Sequence, residues 1–223
     1  MKQYGVFDIL GPIMIGPSSS HTAGAARLGK VARSIAGKDF KSVKFYLHGS
    51  FAKTYRGHGT DRALVAGILG MDPEDERLRT SLDIAKQESI GIEFIESDLG
   101  ESQHPNTVKM VFAKNDGSVI DVTGSSIGGG SIVITNIEGN DVSLTGNCPT
   151  IIVKYRDKKG VVSKVTNVLS ENNINIGIMK VDRTPEGEAT MIIEVDNIIP
   201  ENVPGEVSKI EEVISARAIN PIG

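Results

Sequence analysis

The stretch "GPSSSHTAGAARLGK", residues 16–30, places Ser18, Ser19, Ser20, His21 and Thr22 between a proline and the start of an apolar-periodic run. Hydroxyls both donate and accept hydrogen bonds, and an imidazole takes up or releases a proton near neutral pH. Such a set can hold a small anion and act on a C–H bond beside it. One serine would suffice to cap the helix that follows, a role worth about 1 kcal/mol. Four hydroxyls exceed that need. Pro17 fixes the entry, and the free N–H groups of the first turn, at the positive end of the helix dipole, suit a carboxylate or phosphate. The same dipole disfavours a charged His21, leaving a neutral ring able to remove a proton. An over-polar cap carrying a surface histidine is the plainer alternative.

Two further stretches repeat parts of this pattern. In "GHGTDRALVAGILG", residues 57–70, glycines flank His58, and Thr60 and Asp61 open a helix. This is not a dinucleotide fingerprint, because Arg62 stands where the third glycine would be and no strand leads directly into it. Two histidine-bearing helix starts in one small domain point to a shared pocket, although a capped turn between helices explains the second equally well. "TGSSIGGGSI", residues 123–132, allows backbone to approach a ligand or partner closely, or bends the chain between strands. Asp98, Glu101 and His104 share a loop without forming a constellation and read as solvated. Near the C-terminal end, Gly160 in "RDKKGVV" permits a tight turn whose amide could face a carboxylate, with Asp157 nearby. Asn172, Asn173 and Asn175 in "ENNINI" could contact a ligand, but they suit a turn equally well.

The elements that must position these residues follow from periodicity. Tyr4–Ile9 and Pro12–Ile15 are short apolar stretches. Thr22, Ala25, Leu28, Ala32 and Ile35 share one helical stripe, ended by "GKD" at 37–39. "SVKFYLHG" alternates like a strand; "SFAKTYRGHGTDRALVAGILGM" predicts two helices with a glycine-marked interruption, the second capped by Thr60 or Asp61. Residues 74–90 read as helix and "IGIEFIES" as strand. Hairpins follow, with a type I′ turn expected at Asn115-Asp116-Gly117 and another at Gly139-Asn140. Residues 1–146 therefore form one α+β domain. Pro149 marks a boundary, after which residues 149–223 follow a βαββαβ order: strand "TIIVKYR", a helix with Val161, Val165, Val168 and Leu169 inward, strands around Pro185-Glu186-Gly187, helix "PGEVSKIEEVI" and strand "SARAI". That order is a ferredoxin-like sandwich.

Composition narrows the function classes. The chain has 223 residues, enough to bury a core in one large or two small domains. Aromatics make up 4% with no tryptophan, and 24 basic against 28 acidic residues give a net charge of -4. Neither base stacking nor an electrostatic nucleic-acid footprint is expected. No stretch is apolar enough to cross a bilayer and Met1–Leu10 lacks a signal pattern, so a cytoplasmic location is expected. The single cysteine, Cys148, excludes an intramolecular disulfide and any zinc or iron–sulfur site built from this chain's own thiolates. The four histidines include no pair at i, i+4, so no metal is assigned here. No lysine sits in a context that suggests a Schiff base, which leaves pyridoxal-phosphate chemistry unsupported.

In their order along the chain, "GPSSSHTAGAARLGK", "GHGTDRALVAGILG" and "GSSIGGGSI", with the strand–"RDKKGVV"–helix opening, resemble the beta subunit of the bacterial iron–sulfur L-serine dehydratases over essentially the whole chain. The last part is similar to an ACT domain, the small-molecule-sensing module of amino-acid metabolism. The resemblance implies an N-terminal domain like the allosteric substrate-binding domain of some phosphoglycerate dehydrogenases. It also implies conversion of L-serine to pyruvate and ammonia, with a partner alpha subunit holding a 4Fe–4S cluster. On that reading His21 is the catalytic base, and Ser18, Ser19, Ser20, Thr22, His58, Thr60 and Asp61 bind the substrate. Asp157, Gly160, Asn173 and Asn175 would contact an effector, and ACT domains would pair two copies of the chain. This chain alone would be inactive. The alternative is a purely regulatory subunit that binds an amino acid without taking part in the chemistry.

Overall fold

The computed structural model describes residues 13–221; the apolar stretch Tyr4–Ile9 lies outside the described residues. The chain is α+β and forms two compact units divided between Thr145 and Gly146.

In the first unit, a wide π-type turn over Ser19–Ala23 leads into α1 (Gly24–Ala36). There follow β1 (Phe40–Leu47), α2 (Gly49–Thr54), α3 (Thr60–Ile68), a 3-10 turn (Glu76–Thr80), α4 (Ser81–Gln87) and β2 (Gly91–Glu96). Four antiparallel strands complete it: β3 (Thr107–Lys114), β4 (Val119–Gly128), β5 (Ser131–Ile137) and β6 (Asn140–Leu144). The sheet order is β2-β1-β3-β4-β5-β6, with β1 and β2 the one parallel pair among the described residues. The expected stripe of α1 is buried along its length, from Thr22 to Ile35. A second face is buried too, because Gly29 of α1 and Gly67 of α3 let the helices touch backbone to backbone. A side chain built on Gly67 would stand 2.1 Å from the Ala26 carbonyl oxygen. On the sheet side, a Cβ on Gly124 would meet Leu28 Cδ2 at 2.8 Å, so β4 also lies close beneath α1.

The second unit runs β7 (Thr150–Arg156), α5 (Val161–Glu171), β8 (Ile176–Arg183), β9 (Glu188–Val195), α6 (Val203–Val207) and β10 (Val213–Ile219). Its antiparallel sheet has the order β10-β7-β9-β8, which is the ferredoxin-like arrangement. Alternate residues Ile151, Val153 and Tyr155 of β7 and Ala189, Met191 and Ile193 of β9 pack against Val161, Val165 and Leu169 of α5.

Several local expectations are corrected. Helix α3 is capped not by Thr60 or Asp61 but by Gly59, in the left-handed region at φ 70°. The amides of Thr60 and Asp61 already donate to the Tyr55 carbonyl, at 2.9 and 3.4 Å, so the preceding turn does the cap's work. At Asn115-Asp116-Gly117 only Gly117 has positive φ, so the turn is not type I′. The Asp116 carboxylate accepts from the Ser118 amide and hydroxyl at 2.8 and 2.7 Å and holds a longer loop instead. In the second hairpin, Glu138 and Gly139 take the two left-handed positions, one residue earlier than Gly139-Asn140. Residues 74–90 are split between the 3-10 turn and α4. The helix expected over "PGEVSKIEEVI" stops at Val207, because Glu212 and Val213 are drawn into pairing with Arg156 and Tyr155 of β7.

Candidate functional site

The site begins with the backbone at Ser18. Its extended conformation (φ -140°, ψ 124°) turns Oγ back to accept the His21 amide at 3.2 Å, and its carbonyl accepts the Thr22 amide at 2.8 Å. Ser19 gives its carbonyl to the Gly24 amide and closes the wide turn. Turns of this kind are uncommon and cluster at functional sites. Two glycines make room for it. A Cβ on Gly16 would stand 2.4 Å from Thr22 Oγ1, and one on Gly24 would stand 2.0 Å from Ser126 Oγ.

The His21 ring is 8% exposed. Its Nδ1 lies 3.3 Å from Ser18 Oγ and 3.2 Å from Ser20 Oγ, and its Nε2 lies 3.1 Å from Ser50 Oγ at the start of α2. The ring packs edge-on against Phe51 and His58, with centroids 5.3 and 4.8 Å away. Burial, and after it the neighbouring His58, hold the His21 pKa below the usual histidine value. Both effects favour the uncharged form of the ring.

Beside this pair opens a cleft of about 280 Å³ whose lining includes Thr22, His58, Arg56, Arg62 and Arg79. Thr22 Oγ1 is buried and has no hydrogen-bond partner among the described residues. No ion pair within hydrogen-bonding range engages the three arginines among the described residues. The adjacent Asp61 accepts the Arg62 amide at 2.8 Å. Burial raises the Asp61 carboxyl above its usual range, against the pull of Arg62 and Arg56. The cleft is thus a concentration of positive charge on a chain of net charge -4. It can attract and orient a carboxylate or another small anion.

Of the residues singled out by sequence, the fold brings His21, Ser18, Ser20, Thr22 and His58 within one cluster. Thr22 and His58 line the cleft, whereas His21 stands behind them. Ser19 takes part through its backbone. Thr60 is fully buried, with Oγ1 unpaired among the described residues. The "TGSSIGGGSI" segment forms β4, a left-handed glycine turn and β5, and it packs on the first motif: Ser126 lies against Gly24, and the Gly130 carbonyl accepts from Arg27 Nη1 at 3.2 Å. Sequence reasoning missed Ser50, Phe51, Arg56 and Arg79. It met Arg62 only as the residue that spoils a glycine pattern. The signal available was a pair of arginines bracketing the histidine turn.

In the second unit Gly160 enters α5 at φ 89° with open space around it. Asp157 Oδ2 pairs with Arg183 Nε at 2.9 Å. Asn173, at φ 55°, ends α5, and Asn175 Nδ2 donates to Asp196 Oδ2 at 2.6 Å. Asn172 Nδ2 donates to Glu206 Oε2 at 2.8 Å. Each of these residues serves a turn or a link between elements.

Comparison with known proteins matches residues 5–136 to the model of the serine dehydratase beta chain and residues 149–219 to the ACT domain. A Bacillus subtilis protein named "Probable L-serine dehydratase, beta chain" is 47% identical, covering 98% of this chain and 99% of that one. The "L-serine dehydratase, beta chain" of Peptoniphilus asaccharolyticus is 41% identical with the same coverage. A Methanocaldococcus jannaschii protein named "D-3-phosphoglycerate dehydrogenase" is 26% identical over 88% of this chain and 37% of its own length.

Proposed function

The chain belongs to the serine dehydratase beta-chain family and carries an ACT domain, and from that premise we propose that it is the beta subunit of a two-subunit L-serine ammonia-lyase. Its reaction yields pyruvate and ammonia. The partner is an alpha subunit carrying a 4Fe–4S cluster. This chain's own residues do not fit such a cluster: Cys148 is its one cysteine, and no group of three or more His, Cys, Asp or Glu converges among the described residues. Its share of the chemistry is the carboxylate and the α-proton.

The observation that carries this reading is a buried His21 held between serine hydroxyls, next to a cleft lined by arginines and by a threonine hydroxyl without a partner among the described residues. The cations and hydroxyls would orient the carboxylate, and the imidazole would take the α-proton. His21→Ala in the complex reconstituted with the alpha subunit is expected to lower turnover by about 100-fold or more, the size of a lost general base. Turnover within a few-fold of wild type would overturn the assignment.

One observation favours a second reading. His21 is not among the residues lining the cleft, and both of its ring nitrogens are engaged. In a purely regulatory subunit the cleft would bind an anionic effector while His21 stiffened its wall. His21→Ala would then change the response to serine and leave turnover intact. For assembly, two ACT units are proposed to pair through a sheet edge, since β8 is an edge strand that exposes Ile178 and Met179. No helix among the described residues is long and apolar enough to cross a membrane.

A further inference from the structure

The cleft beside His21 is small and heavily charged. Its volume of about 280 Å³ stands at the low end of ligand cavities, roughly 300–1,000 Å³, and suits a molecule of few heavy atoms. Arg56, Arg62 and Arg79 line it, and no aspartate or glutamate does. An anion set among three cations relieves their mutual repulsion. A second cleft of similar volume, about 320 Å³, shows the contrasting case: its lining includes Lys109 and Asp141, whose charges offset each other.

Nearby acids leave the three guanidinium groups uncompensated. Asp61 is half-buried and accepts the Arg62 backbone amide at 2.8 Å. Burial raises its carboxyl above the usual range, which weakens it as a counter-charge. Asp72 and Asp75, in the segment before Arg79, are taken up by Lys30 and Arg77. The Arg56 guanidinium lies over the Tyr55 ring, 5.3 Å from its centroid, a contact that steadies the cation and leaves its charge in place.

A second, independent observation points to a ligand. Thr22 is 1% exposed and lines the same cleft, and its Oγ1 has no hydrogen-bond partner among the described residues. It faces Gly16, also of the lining, where a Cβ would stand 2.4 Å from that oxygen. A buried hydroxyl without a partner is costly, and an acceptor held in the cleft removes the cost. The charge of that acceptor follows from the lining. A free amino acid brings an ammonium as well as a carboxylate, and the ammonium would meet three cations and no acid. An anion with two negative charges and no ammonium meets the same surface on better terms, since guanidinium forks bind carboxylate and phosphate bidentately.

We propose that the cleft is a site for a small dianion without an amino group, the class of free phosphate and short dicarboxylates, held by Arg56, Arg62 and Arg79 and by a hydrogen bond from the Thr22 hydroxyl. Binding is a property of this chain by itself and does not depend on the reading of His21. That the dianion competes with serine in the complex rests on the proposed function, in which the same cations orient the substrate carboxylate.

The full chain is titrated calorimetrically at fixed ionic strength and about pH 8, where phosphate is mostly dianionic, with inorganic phosphate, malonate, acetate and L-serine. Phosphate or malonate should bind a single site at least 10-fold more tightly than acetate or L-serine, and the tighter of the two tells a phosphoryl ligand from a dicarboxylate. Arg62→Gln, Arg79→Gln and Thr22→Val should each weaken that binding about 10-fold, the size of one lost charge-assisted hydrogen bond, with the NMR spectrum of the fold retained. Thr22→Ser should keep it. Equal affinity for malonate and acetate, or tighter binding of L-serine, would overturn the proposal. So would dianion binding unchanged in Thr22→Val, the mark of a diffuse cation patch; if that variant does not fold, unchanged binding in both arginine variants decides the same way. In the complex with the alpha subunit, the dianion should raise KM for serine and leave kcat alone. Binding to the chain without any effect on KM would remove serine's carboxylate from the cleft and leave the dianion site standing. No dianion binding together with an inactive His21→Ala would remove the site and leave the base assignment standing.

Discussion

Helices α1 and α5 are similar in length, thirteen and eleven residues, and each is the first α-helix described in its unit, yet they are built on different terms. Helix α1 is enclosed on every side that matters: Leu28 presses on β4, Gly29 touches Gly67 of α3, and Gly24 sits under Ser126. Its entry is made by side chains, with Ser18 capping and a histidine folded into the cap. Helix α5 fully buries one stripe, Val161, Val165 and Leu169, flanked by the half-buried Val162 and Val168, and turns its other side to water. It is entered through Gly160 alone, without a side-chain cap. Where an element only has to cover a sheet, a glycine turn and one apolar stripe suffice. Where its entry carries a hydrogen-bonded cluster of side chains, the contacts close in from several directions and small residues carry them.

The comparison can be broken at its strongest point. Gly67→Ala drives a methyl group into the Ala26 carbonyl, where neither backbone can yield locally. A loss of about 3 kcal/mol is expected in denaturant unfolding, at the upper end of overpacking effects, with the His21 and His58 signals perturbed. A well-tolerated substitution would mean that the two helices are free to separate. Gly160→Ala should cost less, about 1–2 kcal/mol, because it forces a left-handed alanine into open space without a clash. That loss should leave the NMR signals of His21 untouched. The smallest effect is one of pH. The pKa of His21 is lowered on folding, so the unfolded chain binds the proton more readily. The stability this gives is present above the ordinary histidine pKa, about 6.5, and is lost as the pH falls from there through the lower value of the folded state. Thermal unfolding should show a shallower acid decline in His21→Gln than in wild type; parallel curves would place the titration elsewhere.

How much of this was legible in the sequence depended on whether a residue announces itself by a side chain or by the lack of one. The α1 stripe followed from the spacing of Ala25, Leu28, Ala32 and Ile35, all of them buried. The second face did not, since Gly29 and Ala26 make contact by being small, and small residues are equally at home in loops. The βαββαβ order was readable because its strands are long runs of Ile, Val and Met between glycine turns. Turn details were less so: Gly59 takes the cap from Thr60 because of a carbonyl at Tyr55, a relation that spacing does not reveal. At the site, His21 and His58 stood out as unusual residue types at helix starts. Ser50 and Arg79 come from elements with no pattern of their own, and only the fold brings Ser50 against a ring 29 residues away in sequence.

The parallel pairing of β1 with β2 has a kinetic consequence. Antiparallel neighbours β3 to β6 can zip from short hairpins, but β2 reaches its place only after the chain has travelled through α2, α3 and α4 and closed a long excursion. Ser50, His58 and the three arginines all ride on that excursion. The hairpins can therefore be native while the pocket does not yet exist, and a weakened molecule would lose the cleft before it loses its sheet.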